Sequence, residues 1–126
     1  MRSHLETTVP AKQEYVQVLR TVVGSASSLL DATVETIQDL RLVVDEACGQ
    51  LLAIGGEPST FSMRLNLGSD RVEVVIATDG SATDWSQAPE NPLADRILSA
   101  LTDEYSFKRS PSPTVVLSKL LRTMEE

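Results

Sequence analysis

Asp39-Leu40-Arg41-Leu42-Val43-Val44-Asp45-Glu46-Ala47-Cys48-Gly49-Gln50 carries the strongest structural signal in the chain. Its apolar residues recur at three- and four-residue steps, the mark of an amphipathic helix. Glu46 and Gln50 stand four residues apart, so they lie one turn above each other on the same side. A carboxylate and an amide stacked in this way can hold a water and a metal-bound phosphate between them, or be ordinary polar surface. The choice separates an enzyme, a nucleotide-binding switch and a protein-binding domain.

Working outward, Val34, Ile37, Leu40, Val44, Ala47, Cys48 and Leu51 form the buried stripe of this helix. Asp31 is its expected N-cap, and Gly55-Gly56 with Pro58 beyond are its stop signals. Upstream, His4 to Val9 alternates, with Leu5, Thr7 and Val9 on one face, and reads as a strand. Pro10 suits the first turn of a helix striped by Tyr15, Val18, Leu19, Val22, Val23 and Ala26. Gly24 and the serines at 25, 27 and 28 weaken that helix towards its end.

Downstream, Phe61, Met63, Leu65 and Leu67 alternate with polar residues as a clear strand. Gly68-Ser69-Asp70 turns into a second strand from Arg71 to Thr78, apolar on both faces and so expected inside the sheet. Asp79 to Pro92 reads as loop, and Asn91-Pro92 opens a third helix with Leu93, Ile97, Leu98 and Leu101 inward. Glu104 to Lys108 reads as a strand. The tail from Thr114 to Met124 stays open: Ser112-Pro113 can start a helix, whereas Val115, Val116 and Leu117 favour a strand. This order predicts one α+β domain over residues 1–126: a two-layer α/β sandwich, its mostly antiparallel mixed sheet carrying three helices on one face. A doubly wound nucleotide fold would need a Gly-rich turn after the first strand, which this chain lacks.

The bulk properties narrow the function. With 126 residues, the chain is long enough for one core. Eleven basic against 18 acidic side chains leave a net charge of −7, which argues against direct nucleic-acid binding and favours a partner with a basic surface. No apolar run is long enough to span a membrane, and Met1 to Glu6 has no apolar core of a signal peptide, so the cytoplasm is expected. Cys48 is the lone cysteine and His4 the lone histidine; neither a disulfide nor a Cys/His metal cluster is expected.

The strand–helix–helix opening, the run from Asp39 to Cys48, the hairpin, and the closing helix followed by Asp103-Glu104-Tyr105-Ser106-Phe107 carry a resemblance. Together they resemble the bacterial anti-sigma regulatory serine kinases, anti-sigma factors with a histidine-kinase-like ATPase domain. The resemblance implies a sigma factor and an anti-anti-sigma (STAS-type) protein as partners, a homodimer, and Mg-ATP or ADP as cofactor. It implies Glu46 as the proton-handling catalytic residue, and places Gln50 where the family has a magnesium-binding Asn. Gln is one methylene longer, and magnesium geometry is strict.

Two further nucleotide motifs depart from the family. In the Asp-x-Gly-x-Gly turn Gly80 is kept, Thr78 stands at the adenine-binding Asp, Ala82 at the second Gly, and Asp79 falls one residue late. The Gly-rich turn before the last helix reads Ala88-Pro89-Glu90-Asn91-Pro92-Leu93, without a glycine. Thr78, Asp79 and Gly80 are the cofactor-binding candidates beside Gln50. Arg20 matches a family position that touches both protein partners. Trp85 reads as a partner anchor or as cover for the pocket, and Arg41 with Asp45 as a surface ion pair. The expected function is therefore an anti-sigma factor whose ATP site is reduced or lost. The alternative is an active Mg-ATP-dependent serine kinase acting on its anti-anti-sigma partner.

Overall fold

The structure, a computed structural model, describes residues 3–53, 60–79, 92–108 and 112–121. Strand β1 (Ser3–Pro10) leads through a short 3-10 turn (Gln13–Tyr15) into helix α1 (Val16–Leu29) and helix α2 (Val34–Ala53). Strands β2 (Thr60–Leu67) and β3 (Arg71–Thr78) follow, then helix α3 (Pro92–Leu101) and strands β4 (Glu104–Lys108) and β5 (Thr114–Leu120). The five strands form one sheet in the order β1-β2-β3-β5-β4, with β3 at its centre, as its richness in apolar residues led us to expect. The open tail is thus a strand: β5 inserts beside β3, pairing Val74 with Leu117 and Ile76 with Val115.

All four described ladders are antiparallel. The sheet is thus antiparallel throughout its described strands, and the parallel pairing that a mixed sheet would need is not found among them. Phe61, Met63, Leu65, Val72, Val74, Ile76, Val115 and Leu117 form the buried side of the sheet. They join Leu19, Val23, Leu40, Val43, Val44, Ala47, Cys48 and Leu98 of the helices in one core. The other sheet face is polar: Asn66 donates to Glu73 at 2.6 Å, and Arg71 donates to Glu104 at 3.1 Å and to Ser118 at 3.0 Å.

The helix boundaries correct four expectations. Pro10 is not in a helix; it ends β1 opposite Thr60, on an edge strand where its missing N–H is tolerated. Asp31 is not the N-cap of α2. It takes a left-handed φ of 59° just after α1, while the Thr33 hydroxyl accepts from the Thr36 amide at 3.2 Å. Val34 and Leu93, both assigned to buried stripes, are 66% and 67% exposed, because Thr36 with Val43 and Ala94 with Leu98 face the core instead. Helix α1 runs unbroken to Leu29 through the weak stretch that opens at Gly24. That residue lets α2 approach closely, a Cβ there lying 3.6 Å from Ile37 and from the Arg41 side chain. The predicted helix stop at Gly55-Gly56 lies outside the described residues.

Candidate functional site

The described nucleotide candidates lie in two places, Glu46 and Gln50 in the last turns of α2 and Thr78 with Asp79 at the end of β3. Glu46 and Gln50 project from α2 and are both half-buried. They are held there because Val43, Val44, Ala47, Cys48 and Leu51 face the core. Gln50 is tied down at both ends of its amide. Its nitrogen donates to the Asp95 carboxylate at 3.3 Å, and its oxygen accepts from the Tyr105 hydroxyl at 3.2 Å. Tyr105 also stands 3.2 Å from the same Asp95 oxygen, so its single proton is shared between two acceptors. A carboxylate only accepts, which fixes the amide nitrogen on the Asp95 side and the oxygen on the Tyr105 side.

Asp95 sits in the first turn of α3, where a negative charge is favoured by the helix dipole. Tyr105 projects from β4 on the helix-facing side, level with Leu117. Burial pushes its phenol up to about 12, the Gln50 hydrogen bond opposing and the Asp95 charge adding to the rise. Neither residue stood out in the sequence. They lie 45 and 55 positions from Gln50, and no local spacing links them.

The end of β3 separates the other candidates. Pairing of β2 with β3 is regular from Val72 to Thr78, so no bulge shifts the register. Thr78 is therefore buried on the helix side, 4% exposed, its amide donating to Pro113 at 3.1 Å. Asp79 is exposed, and its carboxylate accepts from the Thr60 amide at 3.0 Å. Gly80, Ala82, Trp85 and the segment from Ala88 to Asn91 lie outside the described residues. A depression of about 360 Å³ lies at the other end of β3, around Gly68, Arg71 and Glu73, away from these candidates.

Magnesium-bound ATP can be tested against this geometry. A cation held by residue 50 needs the amide oxygen turned towards it in a strict octahedral shell. Here that oxygen is turned to Tyr105 and the nitrogen to Asp95, so the described residues fit a cation at position 50 poorly. Among the described residues there is also no cluster of three or more His, Cys, Asp or Glu side chains suited to a metal.

Arg20 stands apart from this group. It lies on α1, donates to Gln17 at 3.2 Å and pairs with Asp45 of α2 at 3.8 Å. Asp45 thus pairs across the helices with Arg20 and not, among the described residues, with Arg41 one turn away. Cys48, fully buried, has its thiol pushed up to about 12 by burial first and by the Asp45 charge second, which removes it as a nucleophile. No helix among the described residues is long and apolar enough to cross a membrane.

Residues 9–119 match the family model of the histidine kinase-like ATPase domain. Relatives named serine-protein kinase RsbW include those of three organisms. That of Bacillus pumilus is 27% identical, the alignment covering 93% of this chain and 85% of the relative. That of Bacillus subtilis is 27% identical over 94% and 86% of the two chains. That of Halalkalibacterium halodurans is 27% identical over 99% and 90%.

Proposed function

The chain belongs to the histidine kinase-like ATPase domain family, and from that premise we propose that it is an anti-sigma factor acting mainly by protein binding, its nucleotide site reduced. The observation that carries the reduced site is the Gln50 amide, taken up at both ends by Asp95 and Tyr105. Thr78 and Asp79 support the same reading. A buried hydroxyl stands at the family's adenine-binding carboxylate, and the nearest carboxylate is engaged by the β2 backbone.

In this reading the α1–α2 surface around Arg20 takes the sigma factor, and an anti-anti-sigma protein competes for an overlapping surface. Arg20 suits the task because its guanidinium is only partly occupied: the side chain is 34% exposed and its ion pair with Asp45 is long, at 3.8 Å. The net charge of −7 favours partners with basic surfaces. A homodimer and a cytoplasmic location belong to the same proposal.

The rival reading, a working serine kinase, draws on Glu46, kept and half-buried one turn from Gln50, and on the name of the relatives. A thermal-shift titration with Mg-ATP separates the two. Ligand at 100 times its dissociation constant would stabilise a binding-competent site by about 2.7 kcal/mol. A shift of several degrees, lost in Glu46→Ala or on chelation, supports the kinase; no shift at millimolar Mg-ATP supports the reduced site. Co-purification of a sigma factor, weakened in Arg20→Ala, supports the anti-sigma role, and failure to recover one counts against it.

A further inference from the structure

Helix α3 is pinned at both ends by polar contacts. At its C-terminus Lys119 of β5 donates to the Leu101 carbonyl at 2.7 Å and pairs with Asp39 of α2 at 3.7 Å. At its N-terminus Asp95 takes hydrogen bonds from Gln50 of α2 and Tyr105 of β4. Between them, Ala94 and Leu98 are the buried residues of the helix, with Leu101 half-buried. These apolar residues set which face of α3 meets the core. Directional hydrogen bonds to other elements set its position along that face, because a shift of an ångström breaks them.

The length of Gln50 matters to this arrangement. An asparagine would withdraw the amide by about 1.5 Å, one carbon–carbon bond. Contacts of 3.2 and 3.3 Å would then open well past hydrogen-bonding distance. The residue that departs from the family's magnesium ligand is thus the one whose reach closes the network.

We propose that Gln50, Asp95 and Tyr105 form a cation-free latch that fixes the first turn of α3 and strand β4 to α2 and keeps the amide of residue 50 from a divalent cation. The latch acts as a built-in closure: side-chain hydrogen bonds hold the three elements together without magnesium or nucleotide. It rests on the reading of a reduced nucleotide site in one respect, that residue 50 stands at the family's cation position.

Amide hydrogen exchange of residues 93–101 in nucleotide-free protein tests it, comparing wild type, Tyr105→Phe, Gln50→Asn and the double variant. Each single change should speed exchange in α3 about two- to tenfold, the worth of one ordinary hydrogen bond. The double variant should be no faster than the faster single, because the contacts form one network. Amides of β2 and β3 should keep their wild-type rates. Unchanged α3 rates, effects that multiply in the double variant, or an equal rise across the sheet would each overturn the latch. Mg-ATP added to wild type then judges the reduced site separately. Slowed exchange would overturn that reading while leaving the nucleotide-free result to stand on its own.

Discussion

The Lys119 ammonium donates to the Leu101 carbonyl at 2.7 Å, closing the last turn of α3 from a strand 18 residues further along the chain. Its side chain is only 16% exposed, and its second partner is Asp39. Lys119→Met should therefore leave a carbonyl and a carboxylate without their donor. The expected loss is about 1 kcal/mol, because both abandoned partners, the half-buried Leu101 carbonyl and the Asp39 carboxylate, keep some access to water. Urea denaturation checks this: the midpoint should fall with the slope unchanged.

The start of α2 offers a paired test. Thr33→Ala removes the oxygen that caps the Thr36 amide and should destabilise by about 1 kcal/mol. Asp31→Gly should cost nothing or stabilise, since glycine adopts φ near 59° more readily than aspartate. Thermal melts of both variants decide it; the opposite order would return the cap to Asp31.

Gly49 lies inside α2 on an exposed face, and a Cβ added there would meet nothing within 4 Å. Gly49→Ala should stabilise by about 0.5–1 kcal/mol through reduced chain entropy and better helix propensity. The melting temperature should rise by a few degrees.

Alkaline stability follows from two buried protons. Cys48 is raised from 9.0 and Tyr105 from 10.0, each to about 12, so both bind their proton more tightly in the folded state. Their contribution is complete below pH 9 for Cys48 and pH 10 for Tyr105, and is lost as pH rises towards 12. Urea midpoints should fall from pH 9 upward, less steeply in Cys48→Ala. At pH 8 the native thiol should resist a disulfide reagent that labels the unfolded chain at once.

How much of this was legible in the chain depended on the range of the interactions. Alternation in Phe61, Met63, Leu65 and Leu67 reports burial residue by residue and came out as read, whereas the α2 stripe held from Leu40 to Leu51 but not at Val34, where Thr36 and Val43 take the core side. Helix ends were less legible, because Asp31 and Thr33 are both capping residue types and backbone conformation chose between them. The site was legible only in part. Glu46 and Gln50 announced themselves by their spacing, whereas Asp95 and Tyr105 join Gln50 through contacts no local pattern encodes.

The sequence by itself determined the α+β class, the central position of β3 and the family of the domain, because periodicity and motif order are local properties of the chain. Tertiary structure alone decided that residues 114–120 form a strand, since their apolar run became one only by meeting the free edge of β3. It also decided the state of Gln50. An amide can serve a cation or a protein neighbour, and which partner it takes depends on the groups that folding brings within about 3 Å. Here those groups are the carboxylate of Asp95 and the hydroxyl of Tyr105.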